Sequence, residues 1–128
     1  MGYHFSKTVR MSFDDANKKV VESLSKEGFG ILTEIDVKAT LKKKLDVDFR
    51  RYTIMGACNP SSGYQALQAE DKIGTMLPCN VILREKTDGE VEISAVDPVA
   101  SMQAIQNSQL EKVAEQVREK LKRVVDAL

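Results

Sequence analysis

The sequence has no tryptophan, one histidine, two cysteines and three prolines, and its 19 Lys+Arg are matched by 19 Asp+Glu. Each shortage excludes something. With only four Phe and three Tyr besides, a base-stacking surface is poorly supplied. A net charge of zero gives no basic footprint for a polyanion. No nucleic-acid partner is therefore expected. No run reaches the roughly 18 apolar residues of a membrane span, so no membrane partner is expected either. With His4 alone, paired metal-binding histidines are impossible, and a Ser-His-Asp or Cys-His site would have to use His4. That residue falls on the polar side of a predicted strand and reads as a surface histidine. No glycine-rich phosphate loop or nucleophile elbow is present.

The N-terminal Met-Gly-Tyr-His-Phe-Ser-Lys lacks the apolar region of a signal peptide, so a cytoplasmic location is expected. Met1-Gly2 with Ser6 fits a short acylation motif, but the same residues read as strand. In the cytoplasm Cys58 and Cys79 are expected as free thiols. The 128 residues suffice for one domain, 1–128, with a core that needs no disulfide or metal.

Periodicity supplies the elements. Tyr3, Phe5, Lys7 and Val9 share one side of a strand over 3–10. Ser12 caps a helix over 13–27 whose stripe is Phe13, Ala16, Val20, Val21 and Leu24; Gly28 ends it, so that Phe29 can pack back on Leu24. A strand over 29–35 places Phe29, Ile31, Thr33 and Ile35 on one side, and Asp36 caps a short helix with Val37, Leu41 and Leu45. Lys42, Lys43 and Lys44 read as its solvated side. A third strand runs over 49–58, with Tyr52, Ile54, Gly56 and Cys58 on one side. Asn59-Pro60 opens a helix to about Ala69 carrying Tyr64 and Leu67. After a loop over 74–78, strands over 79–86 and 90–96 flank Thr87-Asp88-Gly89. A left-handed Gly89 sets Lys86 opposite Glu90, Arg84 opposite Glu92, Leu83 on Ile93 and Val81 on Ala95, and turns Ile82 outward. Asp97-Pro98 starts a short helix to Ile105. Ser108 and Glu111 form a capping box for a long helix with Leu110, Val113, Ala114, Val117, Leu121, Val124, Val125 and Leu128 in its stripe.

Strand, helix, four strands and a long helix imply an α+β fold, an antiparallel five-stranded sheet with two main helices on one face. The segments Ile54-Met-Gly-Ala-Cys-Asn-Pro60, Ala66-Leu67, Gly74-Thr-Met-Leu-Pro-Cys-Asn-Val81 and Asp97-Pro98 resemble the family called domain of unknown function 302. That resemblance implies a TATA-box-binding-protein-like fold over almost the whole chain. It implies no activity.

The sharpest chemical feature is the corner made by Cys58, Asn59 and Pro60 with Leu77, Pro78, Cys79 and Asn80. Cys58 ends one strand and Cys79 begins the next, so antiparallel pairing brings both thiols to one end of the sheet. Free amides at the start of the following helix would favour a Cys58 thiolate. The spacing is far from a Cys-x-x-Cys pair, and a buried cysteine is often only a small apolar residue. Three readings follow. The first is a non-enzymatic small-molecule or metal-binding module, with Cys58 and Cys79 as metal ligands and Asn59 and Asn80 orienting a ligand. The second is a thiol-dependent redox enzyme, for which no base stands beside either thiol in the sequence. The third is a homodimer formed through the uncovered sheet face. Asp97 reads first as a cap. Met55, Met76 and Met102 read as core or pocket wall, and Tyr52, Ile54, Met76 and Leu77 as lining of an apolar cavity.

Overall fold

The computed structural model describes residues 2–128; Met1 of the acylation motif lies outside them. Five strands, β1 (His4–Arg10), β2 (Gly30–Asp36), β3 (Tyr52–Cys58), β4 (Cys79–Thr87) and β5 (Glu90–Val96), form one antiparallel sheet in the order β1-β5-β4-β3-β2. The helices are α1 (Phe13–Lys26), α2 (Val37–Leu45), α3 (Pro60–Ala69), α4 (Pro98–Ser101) and α5 (Ser108–Asp126), with a 3-10 turn over Ile73–Met76. The fold is α+β, as the sequence implies. No described helix is long and apolar enough to cross a membrane.

One core joins the sheet to α1 and α5. Val20, Leu24, Met55, Val81, Leu83, Ile93, Leu110 and Leu121 are almost wholly buried in it. The ends of α1 are set locally. Ser12 accepts from the Asp15 amide at 3.1 Å. At the other end Phe29 donates to the Leu24 carbonyl at 2.9 Å and Gly28 to that of Ser25 at 3.0 Å, with Gly28 left-handed at φ +84°. This return delivers a buried Phe29 to the core.

Several expected faces differ. Tyr3 and Val21 are exposed, so the inward sides of β1 and α1 are narrower than their stripes. The register of β2 against β3 shifts between Ile31 and Thr33, a bulge at Leu32. Ile31 therefore packs on the core, opposite Ala57, whereas Thr33 and Ile35 pair with Gly56 and Ile54 on the uncovered face. In β3 Thr53, Met55 and Ala57 are buried in the core, whereas on the side of Tyr52 and Ile54 only Gly56 is buried. On α3 Ser62 and Ala66 face inward while Tyr64 and Leu67 are exposed.

The β4–β5 pairing has Arg84 opposite Glu92, Leu83 opposite Ile93 and Val81 opposite Ala95, as expected. Arg84 Nε donates to Glu92 at 2.7 Å. Nearer the turn Thr87, not Lys86, faces Glu90, because a bulge at Lys86 absorbs one residue; Gly89 is left-handed at φ +80°. The long helix is capped by Asn107 rather than Ser108. The Asn107 carboxamide oxygen accepts from Gln109 and Leu110, both at 3.1 Å, and its Nδ2 donates to the Ala69 carbonyl at 2.7 Å. That second bond ties the start of α5 to the end of α3, which no local pattern at Ser108 encodes. Helix α4 ends at Ser101, short of Ile105.

Candidate functional site

β3 leaves the sheet where β4 enters it. Ala57 pairs with Cys79, so Cys58 is one residue beyond the partner of Cys79. With paired Cα atoms at most about 5.5 Å apart and successive ones 3.8 Å, the two cysteine Cα atoms lie within about 9 Å. Both thiols are free, Cys58 half-buried and Cys79 buried, and both line one pocket between the sheet end, α3, α4 and α5.

Glycines let the walls close. A Cβ on Gly63 would stand 3.2 Å from Cys58 Sγ, so this residue lets α3 pass close to the thiol. A Cβ on Gly56 would fall 2.6 Å from Pro78 Cγ and closer still to the Thr33 hydroxyl. The bare backbone there makes room for the Pro78 ring just before Cys79; the Leu77–Pro78 peptide is cis. Asn59 fixes the start of α3: its Oδ1 accepts from Ser62 N at 3.3 Å, and its Nδ2 donates to the Glu27 carbonyl at 3.2 Å. This side chain thus locks α3 to the end of α1.

Five residues of the expected corner, Cys58, Asn59, Leu77, Pro78 and Cys79, line the pocket; Pro60 and Asn80 do not. Pro60 is exposed at the first position of α3. Asn80 is exposed because successive strand residues point to opposite faces, so a buried Cys79 sends its neighbour outward. A ligand in the pocket would therefore lack Asn80, and the Asn59 amide already has partners within the protein. Of the expected cavity lining only Leu77 takes part, while Met76 is exposed. The sequence reading missed Phe29, Ser62, Gly63, Ala66 and Pro98. It also missed the wall from the α5 residues Leu110, Val113, Ala114 and Val117, whereas Met102, read as core or pocket wall, does line the pocket. Those α5 positions were legible as an inward stripe, but not as pocket lining.

The pocket spans about 430 Å³ counted to its open mouth, but only about 30 Å³ of that is space a water could occupy. This is room for one or two waters. Its lining holds no carboxylate, imidazole or amine. Burial pushes the Cys79 thiol up to about 11, and the neighbouring Cys58 adds to the rise. At neutral pH Cys79 is thus a protonated thiol, a poor nucleophile. His4 is exposed, bonded to the Ser6 hydroxyl at 2.7 Å, on the face of the sheet away from the pocket. Asp97 caps α4 through Val99 N at 3.0 Å and accepts from Arg118 Nε at 3.2 Å, which accounts for its burial.

The family model described as domain of unknown function DUF302 matches residues 5–128. The chain belongs to the DUF302 family. This DUF302 chain is also similar to the crystal structure of an uncharacterised conserved DUF302 protein from Bacillus stearothermophilus, with a TM-score of 0.90 and 24% identity over 98% of each chain. At that identity the likeness concerns the fold. No curated protein matches the chain.

Proposed function

We propose that this DUF302 chain is a non-enzymatic binding module that holds a small molecule or a metal ion at the Cys58/Cys79 pocket, in the cytoplasm where both thiols stay reduced. The observation that carries the reading is the convergence of the protein's two thiols on one apolar pocket without an acid or base beside them. The same absence, with a protonated Cys79, weighs against a thiol-dependent redox enzyme. The test is intact-mass spectrometry under native conditions on protein isolated without chelator, beside the Cys58→Ser/Cys79→Ser double variant. A ligand or ion carried by the first and lost from the second supports the reading. Identical masses after correction for the substitutions, from extract-exposed samples of both, would sink it.

A homodimer is a second reading, favoured by one observation. Leu32 and Ile35 on the edge strand β2, with Leu45, Val47 and Phe49 just beyond, are 42–66% exposed. Unpaired strand edges and apolar patches are natural self-association surfaces. Sedimentation at micromolar concentration tests it, and a 14.3 kDa species alone would remove it.

A further inference from the structure

Four features of the thiol pocket narrow what it can hold. The first is room. About 30 Å³ of free space admits an ion, whereas sites for small organic ligands run to about 300–1,000 Å³. The second is ligand number. Among the described residues no group of three or more His, Cys, Asp or Glu converges anywhere, so the four protein ligands of a structural zinc site are missing. The third is softness. Two thiols and the Met102 thioether in an otherwise apolar lining suit a soft ion and offer no oxygen cage to Mg²⁺ or Ca²⁺. The fourth is charge. Two thiolates around a monovalent ion keep one negative charge, and Cys58 immediately precedes the cap of α3, whose N-terminal end carries partial positive charge.

We infer that this site takes a soft monovalent metal ion, Cu(I), bound by the Cys58 and Cys79 thiolates that line the pocket. The inference rests on the binding reading above and names the ion. Two S–Cu bonds form, each thiol passes its proton to solvent, and copper enters and stays as Cu(I), so no oxidant or reductant takes part. Gly63 is a positioning residue in this scheme: its missing side chain leaves the Cys58 sulfur the freedom to turn toward the ion.

The test is an anaerobic titration of the reduced full chain with Cu(I) in competition with bathocuproine disulfonate, repeated with Ag(I), a redox-inert mimic. One ion per chain is expected, weakened at least about a hundredfold in Cys58→Ser and in Cys79→Ser, with circular dichroism confirming that each variant is folded. Cys58 is half-buried, so Cys58→Ser serves if Cys79→Ser fails to fold. Because binding displaces protons, affinity should strengthen at least about tenfold per pH unit between pH 6 and 8. Binding that survives both substitutions, or no retention of Cu(I) against an equimolar chelator, overturns the inference. If Cu(I) is not retained but native protein carries another ligand that the double variant lacks, the binding reading stands and only the choice of ion fails.

Discussion

Replacing Gly63 with alanine puts the pocket's closest approach under direct strain. Glycine inside a helix is ordinarily about 1 kcal/mol worse than alanine, so at an open site Gly63→Ala would stabilise α3. Here the new methyl would stand 3.2 Å from Cys58 Sγ, tighter than ordinary packing, and the sulfur must give way. Overpacking of this kind costs about 1–3 kcal/mol, which cancels or exceeds the helix gain. The expected outcome is a Gly63→Ala protein no more stable than the parent and up to about 2 kcal/mol less stable. In a Cys58→Ala background the same change should recover its gain of about 1 kcal/mol. A double-mutant cycle from urea unfolding under reducing conditions measures the coupling, which should be at least about 1 kcal/mol. Equal stabilisation in both backgrounds would refute the contact between α3 and the thiol, and with it the way the pocket is closed.

Gly56→Ala should destabilise by about 1–3 kcal/mol in chemical denaturation, because its methyl would overlap Thr33 and Pro78; a neutral result would mean that Pro78 is not seated there. For Cys79, the folded state keeps up to about pH 11 a proton that the unfolded chain gives up near 9. Stability is thus fully present below about pH 9 and falls as pH rises to 11, by about 3 kcal/mol. Cys79→Ala should lack that part of the alkaline decline in urea midpoints measured from pH 8 to 11, and parallel declines would contradict it. Asn107→Ala should cost about 1–2 kcal/mol by removing a cap and the tie to Ala69, whereas Ser108→Ala should change thermal stability by less than about 0.5 kcal/mol.

What was legible in the sequence follows from what acts locally. Gly28 after the apolar stripe ending at Leu24 specifies the turn that returns Phe29 to the core, and the observed bonds to Leu24 and Ser25 are those of that turn. The charges of Arg84 and Glu92 picked the β4–β5 register, although the bulge at Lys86 moved Glu90 opposite Thr87. Where tertiary packing decides, local pattern misled. The bulge at Leu32 sends Thr33 and Ile35 to the other face, and alternation along β3 is equally satisfied by Thr53-Met55-Ala57 and by Tyr52-Ile54. Asn107 outcompetes Ser108 as a cap because its amide also reaches Ala69, 38 residues away in sequence. At the candidate site, antiparallel neighbours ensured that Cys58 and Cys79 would lie at one end of the sheet, where both line one pocket. That α5 forms the opposite wall, and that Asn80 turns away, depended on helix placement and strand facing.

The shared thiol pocket is tested most directly by a crystal structure of the protein soaked with Hg(II), an ion that seeks two opposed thiolates. One anomalous peak per chain is expected, lying between Cys58 Sγ and Cys79 Sγ and in contact with both. Separate peaks on each cysteine, or one peak bonded to Cys58 alone, would contradict it.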